Sequence, residues 1–148
     1  MFDKLIRLTV FNCLTAFLLA YVQYTYGFHE YVAKADTTYL ARFISIIYFV
    51  TSFYIVVTVI KGKEIGEDVI DFVSKLSMGL GLIGAVIGMS QSYKSLETFD
   101  PSQVTDLIRL IGEVASAGPI TTAFGIGVWL LLESQKFFVE LRLWEDAK

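Results

Sequence analysis

The stretch Leu76-Ser-Met-Gly-Leu-Gly-Leu-Ile-Gly-Ala-Val-Ile-Gly-Met-Ser-Gln-Ser-Tyr93 holds no charged side chain, and its reading decides the fold. Its 18 residues match the length of helix that crosses a bilayer core of about 30 Å. On a helix Ser77, Gly81, Gly84 and Gly88, spaced four, three and four apart, form one ridge nearly free of side chains. Such a ridge admits the backbone of a neighbour. A second stretch, Ser116-Ala-Gly-Pro-Ile-Thr-Thr-Ala-Phe-Gly-Ile-Gly-Val-Trp-Leu-Leu-Leu132, repeats the device with Gly118, Thr122 and Gly125, a hydroxyl standing in the middle. Two apolar helices of this kind imply either close packing or an oligomer around a narrow, weakly polar lumen.

Working outward, the charged residues leave four gaps: Leu8 to His29, Phe43 to Ile60, Leu76 to Tyr93 and Val114 to Leu132, of 22, 18, 18 and 19 residues. The 148 residues are 55% hydrophobic and 15% aromatic, with a mean hydropathy of +0.60, more than a soluble domain of this size requires. None of the gaps carries the polar stripe of a soluble bundle helix. The expected fold is all-α, a polytopic membrane protein forming a single membrane domain, 1–148, with four transmembrane helices at 8–28, 40–60, 74–93 and 117–136. The third begins with a cytoplasmic extension from 66 and the fourth ends with one to 144. Residues 30–38 read as an outside loop, and the bulky, β-branched first two spans suit lipid contact at the periphery.

Between the last two spans an amphipathic helix is expected over 101–116 on the outer surface. Asp100, Pro101 and Gln103 read as its N-cap, first helical residue and capping-box partner. Leu107, Ile108, Ile111 and Val114 supply its apolar face. Gly118-Pro119 either breaks this helix from the fourth span or kinks one continuous helix, because proline lacks the backbone donor.

The net charge of −3 says less than the placement of the cations. Lys4, Arg7, Lys61, Lys63, Lys75, Lys136, Arg142 and Lys148 fall on one side of the expected membrane, against Lys34, Arg42, Lys94 and Arg109 on the other. The excess of basic residues on the inside predicts cytoplasmic termini. Asn12, Gln23 and the tyrosines of the first gap argue for a retained helix over a cleaved signal. Tyr21, Tyr24 and Tyr26 suit the headgroup level. The lone Cys13 reads as a packing residue and His29 as an interfacial bystander. The acids among residues 67–75 read as a solvated face or as a ring at a pore mouth.

No metal-ligand spacing, strand-borne glycine loop or basic-aromatic nucleic-acid pattern occurs, so the expectation is no enzyme, no cofactor, no metal and no nucleic acid. The four gaps contain no Asp, Glu, Lys or Arg, the usual mark of an ion pathway. An ion-driven machine built on this chain would take its titrating carboxylate from another polypeptide. Two readings stay open: the glycines and threonines pack helices, or Thr121 or Thr122 lines a lumen.

The segment Gly81-Leu-Ile-Gly-Ala-Val-Ile-Gly-Met89 resembles the glycine-rich pore-helix segment of the MotA/TolQ/ExbB family, and Thr122-Ala-Phe-Gly-Ile126 resembles the segment in that family's last pore helix. Order, orientation and the outer linker agree over about residues 64 to 145. The resemblance implies a homopentamer in the bacterial inner membrane whose last two helices surround a pore, with Thr122, Thr121, Ala85 and Ser77 along the ion pathway and Gly81, Gly84, Gly88, Gly118 and Gly125 packing the helices. It also implies a single-span partner dimer resembling MotB, TolR or ExbD, whose aspartate carries the transported H⁺ or Na⁺ while the pentamer turns. Ala85 stands where the family has a threonine and Ala117 where one branch has a glutamate, and Pro119 is outside the motif. A non-motor oligomer, such as a holin-like lesion former or an assembly scaffold, is the alternative.

Overall fold

The computed structural model of the chain describes residues 2–36, 38–97 and 104–140, and among these every regular element is a helix. Helix α1 covers Phe2–Tyr26, α2 Phe28–Ala35, α3 Leu40–Ile60, α4 Glu67–Glu97 and α5 Val104–Glu140. Three of them, α1, α3 and the Glu67–Gln91 part of α4, are long and apolar enough to cross a membrane. α5 carries the fourth uncharged gap, Val114 to Leu132. Phe17, Phe49, Phe53 and Val86 stand at least 67% exposed, an apolar surface suited to acyl chains and not to water. The described residues are all-helical, and their apolar helices suggest a membrane protein.

The four long helices run alternately up and down. α4 and α5 are antiparallel and make the most extensive contact in the molecule. Phe11 of α1 meets Phe138 of α5 with ring centroids 5.4 Å apart, and further along α1 Leu19 and Gln23 share a cavity with Phe124 and Val128, so α1 runs antiparallel to α5 as well. Leu8, Ile44, Tyr48, Ile55, Ile70, Leu132 and Val139, drawn from all four, form the buried core. At 31 and 37 residues, α4 and α5 are about 46 and 55 Å long, well beyond the hydrocarbon thickness.

Sharp turns follow from particular residues. Gly62 adopts a φ of 65°, and its N–H donates to the Val59 carbonyl at 3.0 Å while the N–H of Lys63 reaches the Thr58 carbonyl at 3.1 Å. That pair of bonds is a Schellman cap, which ends α3 and satisfies its last carbonyls. Gly27, with φ 58°, ends α1 in the same left-handed conformation. Asp36 caps α3 from a distance: its carboxylate accepts the Ala41 N–H at 2.8 Å and the Thr38 hydroxyl at 2.7 Å.

One expectation changes and one open reading is decided. Within residues 30–38 the chain forms α2 over most of the expected loop, because Val32 is buried while Glu30 and Lys34 complement the helix dipole at its two ends. Residues from Val104 through Glu140 form one helix, so the amphipathic segment and the fourth span are continuous and Pro119 lies inside. Its fixed φ is compatible with a helix, and Gly118 before it presents no side chain to the proline ring. The capping residues Asp100, Pro101 and Gln103, and the extension from 141 to 144, lie outside the described residues.

Candidate functional site

The seam between α4 and α5 is built where two helices lack side chains. A methyl group on Gly81 would stand 2.9 Å from the Gly125 Cα and 2.9 Å from the Thr121 carbonyl oxygen. One on Gly125 would stand 2.7 Å from the Ser77 carbonyl. Both distances are inside van der Waals contact with backbone, which cannot step aside. Further along, a methyl on Gly84 would strike the Thr121 methyl, and one on Gly118 the Met89 side chain. Gly88 is also buried.

The residues singled out for an ion pathway take different positions. Ser77 is fully buried, and its hydroxyl donates to the Val73 carbonyl of its own helix at 2.9 Å. Thr121, 1% exposed, packs against Gly84, and Ala85 is buried beside that glycine. Thr122 is half-buried and its hydroxyl donates to the Gly118 carbonyl at 3.3 Å. In the single chain, then, Ser77 and Thr121 are enclosed by the chain's own helices, and Thr122 is the more accessible hydroxyl.

Past the glycines the seam becomes polar. The buried Ser74 hydroxyl donates to Glu133 Oε1 at 2.7 Å, and Lys136 Nζ lies 2.7 Å from Asp71 and 3.8 Å from Glu67. Beyond them Glu140, an exposed residue, is shifted above the usual carboxylate value, first by partial desolvation against its neighbours and then by the nearby charge of Glu67. Lys4 of α1 acts on the same carboxylate, so the start of α1 and the end of α5 share one end of the molecule.

Sequence reasoning missed a three-helix polar contact. Gln135 of α5 is fully buried; its amide donates to Asn12 Oδ1 of α1 at 3.0 Å and to Ser52 Oγ of α3 at 2.9 Å. Its carbonyl oxygen is buried with no hydrogen-bond partner. The available signal was weak: Asn12 and Ser52 are polar residues inside apolar gaps, and Gln135 falls just past the end of another. Only the packed structure shows that the three meet at one depth.

Among the described residues no three His, Cys, Asp or Glu side chains come together as a metal group. What the arrangement provides is a rigid helical hairpin with a hydroxyl beside its glycine seam and a charged stub. Comparison with family models, with curated proteins and with solved structures finds no match to this chain.

Proposed function

We propose that the chain is the pore-forming subunit of an ion-motive-force-driven membrane motor, four spans per copy, with α4 and α5 of five copies surrounding the spans of a MotB-, TolR- or ExbD-like partner dimer. The observation that carries this reading is the hairpin itself. Its two longest helices are joined backbone to backbone at Gly81 and Gly125, while the α4 face turned away from that seam, with Leu82, Ile83 and Val86, is uncovered in the single chain. A stiff stave with an open apolar side suits closure into a ring. Thr122 is the hydroxyl on offer to a lumen, and H⁺ or Na⁺ would travel on a carboxylate of the partner. Basic residues gather at the end that carries Lys4, Arg7, Lys61, Lys63 and Lys136, which supports cytoplasmic termini in a bacterial inner membrane.

Imaging the purified complex after affinity capture tests this reading. Five copies around a pair of single-span helices support it; a dimer or an aggregate of variable size defeats it. In vesicles, Thr122→Val is expected to abolish ion uptake with the assembly intact, and unchanged uptake removes Thr122 from the pathway.

A second reading rests on the burial of Ser77 and Thr121 within the chain's own seam. Small residues already used for intrachain packing need no lumen, and the chain is then a non-motor oligomer, a holin-like lesion former or an assembly scaffold. Large assemblies lacking any partner polypeptide favour it.

A further inference from the structure

A cavity of about 460 Å³ opens among α1, α2, α3 and α5 at the end of the molecule that carries Gly27. Its depth is apolar, walled by Val32, Phe124, Val128 and Leu131, with Phe28 and Phe124 stacked at 6.1 Å. Its polar lining includes Gln23, His29, Asp36 and Arg42. Exposed Tyr24, Tyr26 and Tyr39 stand around the same end, as aromatic rings do at headgroup level.

The charges there are unequally engaged. The Asp36 carboxylate is occupied by the Ala41 N–H and the Thr38 hydroxyl, and the Gln23 side-chain oxygen Oε1 accepts the backbone N–H of His29 at 2.7 Å. Arg42 is exposed, makes no ion pair among the described residues, and lies 5.0 Å over the Tyr39 ring. A guanidinium in that setting is suited to a phosphate. A single turn of helix, about 10 Å across and 5.4 Å tall, takes up roughly the whole volume, so a crossing span does not fit. A flexible hydrocarbon chain does.

We propose that this cavity binds one acyl chain of a glycerophospholipid whose phosphate is held by Arg42. The site is independent of the pore reading: it lies on α1, α2, α3 and α5 and asks nothing of the α4 seam.

The test uses the full chain in mild detergent, with dioleoylphosphatidylglycerol as the probe and native mass spectrometry as the readout. The unaltered chain is expected to retain one phospholipid. Ala33→Trp, which fills the cavity from α2, is expected to lose it, and Arg42→Gln to weaken retention about tenfold, with Arg42→Lys recovering part. Equal retention by Ala33→Trp and the unaltered chain overturns the proposal, as does palmitate held as tightly as the phospholipid, or a peptide or second copy found in its place. Thermal unfolding by circular dichroism accompanies each variant. Should Ala33→Trp not fold, a photoreactive benzoylphenylalanine at Phe124, in the cavity wall, is compared with one at the exposed Phe53, outside it. A lipid adduct concentrated at Phe124 supports the site, and equal labelling at both positions overturns it.

Discussion

α5 is held on two sides by opposite means. Toward α4 it presents glycine to glycine, and the attraction is dispersion between backbones at contact distance. Toward α1 and α3 it presents Leu132 and Val139 to the shared apolar core and Gln135 to Asn12 and Ser52, and beyond them the helices part around a cavity. Lipid offers no hydrophobic drive between helices, so association there depends on close packing or on hydrogen bonds. The molecule relies on the first between α4 and α5 and adds the second to its apolar core between α5 and α1 and α3.

The comparison breaks first at the glycines. Gly81→Val places a branched side chain against the Gly125 and Thr121 backbone and is expected to cost about 2 kcal/mol or more of stability. Gly79, two residues earlier, would carry a methyl group into open space, with nothing within 4 Å, so Gly79→Ala is expected to be neutral or slightly stabilising. Thermal unfolding in detergent measures both, and equal losses would mean that the seam is not the tight contact described.

On the other side of α5 the effect is smaller. Gln135→Leu removes two interhelical bonds, each worth about 0.6 kcal/mol in a membrane, and relieves an unpaired buried oxygen, leaving a net loss of about 1 kcal/mol or less. A loss as large as that of Gly81→Val would reverse the ranking of the two sides. Lys136→Met removes the partner of Asp71 and Glu67 at the solvent end of the seam, and its effect is expected to fall below that of Gln135→Leu and to shrink as salt rises. A salt titration of the melting temperature checks this.

The smallest effect belongs to Glu140. Because partial desolvation raises its carboxyl in the folded chain, the folded state binds the proton more tightly, and its contribution to stability falls as pH rises from the ordinary carboxylate range through that raised value. Glu140→Gln is expected to stabilise slightly at pH 7 and to remove this part of the gain on acidification. Melting curves at pH 5 and pH 7 show whether the difference vanishes in the variant.

Helix positions were legible because charge gaps and residue periods are properties of the linear chain. Ser77, Gly81, Gly84 and Gly88 lie on one buried face, and their spacing alone revealed the ridge. Which helix would cover that ridge was not legible, because a glycine face accepts a segment of the same chain as readily as one of another copy. The continuity of α5 through Pro119 was open for a related reason: proline at that position is compatible with a break or a continued helix, and surrounding packing decides. The contact of Asn12, Ser52 and Gln135 joins positions 83 and 123 residues apart and leaves no periodic trace.

The amide of Gln135 also acts as a vertical gauge. Inserting one residue into α5 ahead of Gln135 would shift that amide by about 1.5 Å and turn it by about 100°, out of reach of Asn12 and Ser52. With both contacts kept, α1, α3 and α5 hold one register at that depth.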